Sequence, residues 1–193
     1  MSRPKVHTVE APPLQVDEWL NASAPVDLAG LRGKVVLLYA FQMLCPACLA
    51  HGLPQAERVH RMFREDDVAV IGLHTVFEHH DVTGPAALRA FTQEYRWSFP
   101  IGIDRPAPDG NIPLTMRDYA LGGTPSLVLL DRRGHIRLHH LGSIDDLALG
   151  SAIGRLLEEG VARQAGDAGP PASGSAQQGC GPDACVVAPV PGR

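Results

Sequence analysis

Two long apolar runs in the first half of the chain predict two buried strands. Residues 33–41 read GKVVLLYAF and residues 68–73 read VAVIGL, and neither run contains a charged residue after Lys34. Continuous runs of strand-forming residues, without alternating polar positions, are typical of strands covered on both faces. Both segments are therefore expected to lie inside a sheet.

The segment between these runs has the spacing of a helix. One predicted helical face carries its apolar residues, which are Leu49, Leu53, Val59 and Phe63. Pro54 predicts a kink in the second or third turn. Strand, helix and strand in this order form a crossover unit, so the two strands are expected to pair in parallel.

The second half of the chain begins with a helix and then changes to paired strands. Pro85 suits the first position of a helix whose apolar face continues to Tyr95. Residues 126–131 read SLVLLD and residues 136–141 read IRLHHL, two candidate strands on either side of the short turn RRGH. A turn of this length predicts an antiparallel hairpin.

A final helix and a polar tail complete the predicted organisation. Ser143 is predicted to cap a helix that ends at Glu159, with Gly160 as its stop. Residues 166–193 hold six glycines, five prolines, no leucine and no aromatic residue, too little apolar surface to fold. We therefore expect a domain over residues 1–165 and a flexible, disordered tail over residues 166–193.

Composition and charge narrow the classes of function. The chain has 193 residues, of which 45% are hydrophobic, and a formal net charge of -4. It lacks the basic field that nucleic acids or anionic membranes require, so neither is expected as a partner. No segment has the pattern of a signal peptide or a membrane span, which predicts a cytoplasmic protein.

The strongest chemical signal is the run LCPAC at residues 44–48, between the first strand and the helix. Two cysteines separated by two residues at a helix start are typical of a redox dithiol. Unpaired amides of the first turn stabilise a thiolate on Cys45, and Cys48 can then attack a mixed disulfide formed there. Half of a zinc site is the alternative, but residues 1–165 contain no further cysteine.

The segment Gly123-Thr124-Pro125 directly precedes the first hairpin strand. A cis Thr124–Pro125 bond would bring this turn beside the dithiol, whereas a trans bond would give an ordinary turn. The position of the segment, after a CxxC pair and before a hairpin, favours the cis form.

Together these motifs resemble the thioredoxin superfamily. The similar segments lie within residues 14–160 and are LRGKVVL, the CxxC pair, VIG, GTP and LLDRRG. The resemblance is to the redoxin branch, which includes TlpA-like and ResA-like proteins and the AhpC/TSA-type redoxin domain. It implies an α/β, thioredoxin-like three-layer fold with a central mixed β-sheet flanked by helices. It also implies that Pro125 is a cis-proline lining the substrate groove and that Thr124 offers backbone hydrogen bonds to a bound peptide.

Two positions depart from the family pattern. Leu44 stands where tryptophan usually precedes the first cysteine, and His51 stands where ResA-like proteins often carry glutamate. A histidine there is a candidate proton relay, which would stabilise the Cys45 thiolate or pass a proton to Cys48. A solvent-exposed helix histidine without a catalytic role is the alternative.

A second cysteine pair lies in the predicted tail. Cys180 and Cys185 flank GPDA, a turn-forming sequence that favours the approach of the two sulfurs. One interpretation is a second redox pair that swings to Cys45 and Cys48 and passes electrons to or from them. A soft-metal site and an inert tail are the alternatives.

These features predict a thiol-disulfide oxidoreductase that exchanges electrons with protein or low-molecular-weight thiol and disulfide partners, with no cofactor and no resident metal. A thiol peroxidase on the same fold is an alternative, disfavoured because the pattern Pro-x-x-x-Thr-x-x-Cys would require threonine at Gln42. The other alternative is a non-enzymatic metal-binding module that uses the tail cysteines and the loop histidines His74, His79 and His80.

Overall fold

A computed structural model describes residues 9–108 and 112–167. Its six strands are β1 (Val16–Leu20), β2 (Val35–Phe41), β3 (Val68–His74), β4 (Ile101–Asp104), β5 (Ser126–Leu130) and β6 (Ile136–Leu141). They form one sheet in the order β1-β4-β3-β2-β5-β6. Since β2 pairs in parallel with β3 and antiparallel with β5, the sheet is mixed, as predicted.

Helices cover both faces of the sheet. They are α1 (Leu53–Met62), α2 (Pro85–Tyr95), α3 (Leu114–Asp118) and α4 (Asp146–Asp167), with a 3-10 turn at Ala29–Leu31 and a π-helical turn at Cys48–Gly52. Apolar side chains of α1, α2 and α4 pack on one face of the sheet. Those of α3 and the 3-10 turn pack on the other face. The three-layer, thioredoxin-like arrangement is therefore confirmed.

Strand β2 lies at the centre of the core, and all seven of its residues are buried. Successive side chains of a strand point to opposite faces. The face toward α1 receives Val35, Leu37, Tyr39 and Phe41. The opposite face receives Val36, Leu38 and Ala40. Burial on both faces explains why this segment reads as an uninterrupted apolar run.

The hairpin and the second helix form where they were predicted. β5 and β6 pair antiparallel, and the turn between them closes with the N–H of Gly134 donating to the carbonyl of Asp131 at 2.8 Å. Gly134 has a φ of +78°, a conformation that glycine adopts most easily. Pro85 is the first residue of α2, where its missing N–H removes no helical hydrogen bond.

The final helix differs from its prediction at both ends. The predicted cap at Ser143 is wrong, because Asp145 caps the helix and its carboxylate accepts the N–H groups of Leu147 at 2.9 Å and Ala148 at 3.2 Å. A carboxylate at a helix start also interacts favourably with the helix dipole. Gly160 does not stop the helix, which continues to Asp167. One glycine inside a helix costs only about 1 kcal/mol, so a long helix tolerates it.

Strands β1 and β4 and helix α3 were not predicted. Each is short, with five residues in β1, four in β4 and five in α3. Within residues 9–108 and 112–167, no helix has both the length and the apolar character needed to cross a bilayer. Apart from its first residues in α4, the predicted tail lies outside the described residues.

Candidate active site

Cys45 lies just beyond the end of β2, where the chain turns into a helix. Its N–H donates to the carbonyl of Gln42 at 3.1 Å, which closes the turn between strand and helix. Helical structure begins at Pro46, so Cys45 occupies the cap position. Its Sγ accepts the backbone N–H of Cys48 at 3.3 Å. The first helical turn therefore directs an amide at this sulfur, an arrangement that suits a nucleophile.

Cys48 lies one turn further along and is fully buried, at 0% exposure. Burial is the main cause that raises the pKa of its thiol to about 12, and the hydrogen bond with Cys45 adds to this effect. The backbone of Gln42 acts in the opposite direction. Both cysteines are free thiols, and only Cys45 is partly exposed. The two sulfurs therefore differ in their access to a substrate.

A π-helical turn, Cys48–Gly52, separates the dithiol from α1. The N–H of Leu53 donates to the carbonyl of Cys48, five residues earlier. Pro54 follows at the start of α1 and has no N–H, so it cannot extend the α-helical hydrogen bonds back into this turn. The irregularity predicted at Pro54 thus takes the form of a widened turn directly after the cysteines.

A buried tyrosine packs against this widened turn. A Cβ at Gly52 would lie 1.3 Å from Tyr39 Oη, so the close approach requires glycine. Tyr39 is 2% exposed and shares a core cluster with Cys48. Burial raises the pKa of its hydroxyl, and the charges of Cys48 and Cys45 act in the same direction. Sequence patterns give no sign of this contact, because a tyrosine in an apolar strand belongs to no motif.

The Thr124–Pro125 bond is cis, as the family resemblance implies, and lies beside the dithiol. The Cys45 thiol donates to the carbonyl of Thr124, with 3.6 Å between Sγ and oxygen. In the same turn, the Ser126 hydroxyl donates to the carbonyl of Gly123 at 2.7 Å. The fold thus brings the CxxC pair and the Thr-Pro turn together from positions 79 residues apart.

An open groove of about 410 Å³ runs past the exposed side of Cys45. Its lining includes Leu44, Cys45, Pro46, Phe77, His79 and Thr124. Gln42 fixes one wall, because its side-chain oxygen accepts the N–H groups of Phe77 at 3.3 Å and Glu78 at 3.2 Å. Leu44 is 52% exposed at the rim, where the family pattern has tryptophan. The site therefore combines an accessible sulfur with a groove large enough for part of a substrate.

His51 lies on the exposed side of the π-helical turn. It has no hydrogen-bond or ion-pair partner among the residues that the structure describes. Its role as a proton relay to Cys45 or Cys48 stays a prediction.

The three histidines predicted to share a loop do not converge. His74 is the last residue of β3 and is buried, which corrects its assignment to a loop. His79 lines the groove beside Cys45, and His80 lines a neighbouring pocket. In the described part of the chain, no three His, Cys, Asp or Glu side chains are arranged to hold a metal ion. The second pair, Cys180 and Cys185, lies outside the described residues.

Comparison with known families and curated proteins gives matches over most of the domain. Residues 8–139 match the sequence model described as the AhpC/TSA family. Two proteins named DipZ, from Mycobacterium bovis and Mycobacterium tuberculosis, are each 29% identical over 153 residues. The match covers 77% of this chain and 21% of each DipZ protein, so the chain spans about a fifth of their length.

Solved structures resemble the chain more closely. A thioredoxin-like superfamily protein is 52% identical with a TM-score of 0.76, over 77% of this chain and 96% of that chain. A thiol-disulfide isomerase from Corynebacterium glutamicum is 50% identical with a TM-score of 0.73, over 76% of this chain and 96% of that chain. Both likenesses include nearly the whole of the solved protein.

Proposed function

We propose, on the premise that this chain belongs to the AhpC/TSA family and has the thioredoxin fold, that it is a thiol-disulfide oxidoreductase working through Cys45 and Cys48. The observation that carries the proposal is the setting of the Cys45 sulfur. It faces a groove, accepts an N–H from the first helical turn at 3.3 Å and lies 3.6 Å from the Thr124 carbonyl. The similarity to a protein named a thiol-disulfide isomerase supports the same chemistry.

The burial of the two sulfurs determines the order of the proposed reaction. Cys45, the accessible sulfur, attacks a substrate disulfide R–S–S–R′, forms the mixed disulfide Cys45–S–S–R and releases R′ as a thiolate. Cys48 then loses its proton and attacks Cys45 Sγ, so that R leaves with the electron pair and a Cys45–Cys48 disulfide remains. Two electrons pass from the dithiol to the substrate, and an external thiol restores the dithiol.

The proposed substrate is a disulfide, either within a protein or in a low-molecular-weight compound. The Thr124 carbonyl beside Cys45 supports this choice, because backbone groups next to the attacking sulfur suit an extended peptide segment. The apolar rim at Leu44 would contact residues flanking the substrate cysteine.

Reduction of insulin disulfides by dithiothreitol tests the proposal. The wild-type protein is expected to accelerate the reaction, and Cys45→Ser to remove the acceleration completely. Without dithiothreitol, the triple variant Cys48→Ser, Cys180→Ser, Cys185→Ser should accumulate a covalent Cys45 adduct, detected by mass spectrometry, because no cysteine remains for the second step. The double variant Cys180→Ser, Cys185→Ser is the control for reactions at the other cysteines. Full activity in Cys45→Ser would disprove the proposal.

Two other results would replace the proposal with a different function. Rapid consumption of hydrogen peroxide through a sulfenic acid on Cys45 would indicate a thiol peroxidase. Against that function, the position at which the peroxidase pattern has threonine is Gln42, whose side chain binds two loop amides. Stoichiometric zinc that survives gel filtration and is lost in the double tail variant would indicate a metal-binding module.

A further inference from the structure

The hydroxyl of Tyr39 is a polar group enclosed in the apolar core beneath the dithiol. The side chain lies on the face of β2 that packs against α1, in the cluster that also contains Cys48. Tyr39 is 2% exposed, and its Oη has no hydrogen-bond partner among the described residues. An unpaired buried hydroxyl costs about 1 to 3 kcal/mol, so this donor would bond favourably with a charge that forms nearby in the core.

The position of this hydroxyl relates it to Cys48. A Cβ at Gly52 would lie 1.3 Å from Tyr39 Oη and 2.0 Å from Cζ, so the end of the phenol ring rests on the backbone of the π-helical turn. Cys48 begins that turn and Gly52 ends it. Tyr39 and Cys48 also belong to the same core cluster, and no hydrogen bond joins the two side chains while Cys48 is a thiol.

In the second step of the proposed reaction, a hydrogen-bond donor near the Cys48 sulfur would be useful. The Cys48 thiol is fully buried and its pKa is raised to about 12, so a thiolate must form inside an apolar core. A hydrogen-bond donor next to that sulfur would favour the charged form. Burial raises the pKa of Tyr39, so its hydroxyl keeps its proton near neutral pH and acts as a donor rather than a base.

We propose that Tyr39 is a positioning residue for Cys48, whose hydroxyl donates a hydrogen bond to the Cys48 sulfur as that sulfur becomes a thiolate and attacks the mixed disulfide. The inference rests on the proposed function. Cys48–SH and Cys45–S–S–R give the Cys45–Cys48 disulfide and R–SH. The bond from Cys45 to R breaks, its electron pair leaves on the sulfur of R, and the proton of Cys48 reaches that sulfur through solvent. Tyr39 keeps its own proton throughout.

Stopped-flow reaction with Ellman's reagent tests this role in the full chain carrying Cys180→Ser and Cys185→Ser. Attack by Cys45 releases a first coloured thiolate, and attack by Cys48 releases a second. We expect Tyr39→Phe to leave the first phase unchanged and to slow the second about tenfold at pH 7. The midpoint of the second phase against pH should rise by about one unit, the shift that corresponds to a tenfold change.

Tyr119→Phe is the matched control, because Tyr119 is buried on the opposite face of the sheet. Its hydroxyl donates to the carbonyl of Pro12 at 2.7 Å, so the control loses a hydrogen bond and should lower Tm without changing either phase. Tyr39→Phe removes an unpaired buried hydroxyl and should keep or raise Tm. A second phase with the wild-type rate and pH profile in Tyr39→Phe would overturn the inference. Absence of a second phase in the parent protein would instead disprove the proposed function.

An independent variant retains the ring and the hydroxyl. Incorporation of 3-fluorotyrosine at position 39 makes the phenol more acidic and a stronger hydrogen-bond donor. The second phase should then become faster and its pH midpoint should fall. An unchanged second phase would overturn the role of Tyr39, whether or not Tyr39→Phe folds.

Discussion

His74 couples the stability of the fold to pH through a single side chain. It is the last residue of β3, is 1% exposed, and its ring centre lies 5.3 Å from that of Phe41. Burial lowers the pKa of its imidazole from 6.5 to about 4. Its Nε2 has no hydrogen-bond partner among the described residues, so nothing on that side compensates for a positive charge. Near neutral pH the fold therefore holds this histidine in its neutral form.

We expect this residue to destabilise the protein as the pH falls from about 6.5 to about 4. The pKa of His74 is lower in the folded state than in the unfolded state, so the unfolded chain takes up the proton first. The contribution to stability is complete above pH 6.5, falls through this window and levels off below pH 4. At 1.36 kcal/mol per unit of pKa, the loss reaches about 3 kcal/mol.

Urea unfolding across this pH range measures the effect. Leucine cannot take up a proton. Between pH 6.5 and pH 4, the free energy of unfolding of His74→Leu should therefore fall by about 3 kcal/mol less than that of the wild type. His139 is exposed on β6, so His139→Gln is the control and should follow the wild type. Equal pH dependence in His74→Leu and the wild-type protein would show that the imidazole does not remain neutral on acidification.

Single residues of the site differ in how well sequence reveals them. The spacing of Cys45 and Cys48 identifies them in the sequence. Thr124 and Pro125 can be identified because they directly precede a strand. Tyr39 packs against the turn that follows Cys48, and Gln42 binds the loop that follows β3. Both contacts depend on where the chain returns after the helix and after β3. Such contacts arise only from the assembled fold, and no local pattern encodes them.

At the level of elements, the π-helical turn depends on the absence of a side chain at Gly52. We expect Gly52→Ala to destabilise the protein by about 2 kcal/mol or more, because the added Cβ would overlap the phenol ring of Tyr39. Movement of the turn should also shift Cys48, which lies in it. Thermal unfolding measures the first effect, and the rate of mixed-disulfide resolution measures the second.

Gly150→Ala is the matched control within α4. A Cβ at Gly150 would meet no atom within 4 Å, so this substitution should be neutral or stabilise the helix by up to about 1 kcal/mol. Wild-type stability in Gly52→Ala would show that the tyrosine ring can move away from the turn at little cost.

The elements that were predicted are those with strong internal patterns. β2 and β3 have continuous apolar runs, and the β5–β6 hairpin has a short glycine turn, so local signals suffice. β1 and β4 are short and pair with each other antiparallel at the side of the sheet. Their strand structure depends on that pairing, which sequence periodicity over four or five residues cannot reveal.

At the scale of the whole molecule, the predicted second redox pair would make the tail cysteines part of the reaction at Cys45. In Cys48→Ser, a mixed disulfide on Cys45 has no internal resolving sulfur. Cys180 follows the last residue of α4, Asp167, by thirteen residues. If this segment is the flexible tether that the sequence predicts, its span is about 20 Å on average, and Cys180 or Cys185 is expected to attack instead. The product would be a disulfide between Cys45 and a tail cysteine within one chain, identified by mass spectrometry of the linked peptides.

Cys48→Ser combined with Cys180→Ser and Cys185→Ser is the control, and in glutathione buffer it should give only a glutathione adduct on Cys45. A glutathione adduct as the sole product in Cys48→Ser itself would count against the relay. Disulfides between separate chains, distinguished on a non-reducing gel, would indicate exchange without a tethered tail.

Within the described residues, the central sheet separates two apolar clusters, and Cys45 and Cys48 lie on the side of one of them. Cys48 belongs to the cluster on the α1 face, with Cys45 packed against it. The cluster on the other face, which includes Met116 and Leu121, contains neither cysteine. Laboratory evolution for heat resistance should therefore select stabilising substitutions mainly in the cluster on the second face. We expect substitutions of core residues there, such as Met116, to raise the melting temperature without changing the redox chemistry, provided that Phe77, which packs on this cluster and lines the groove, is kept.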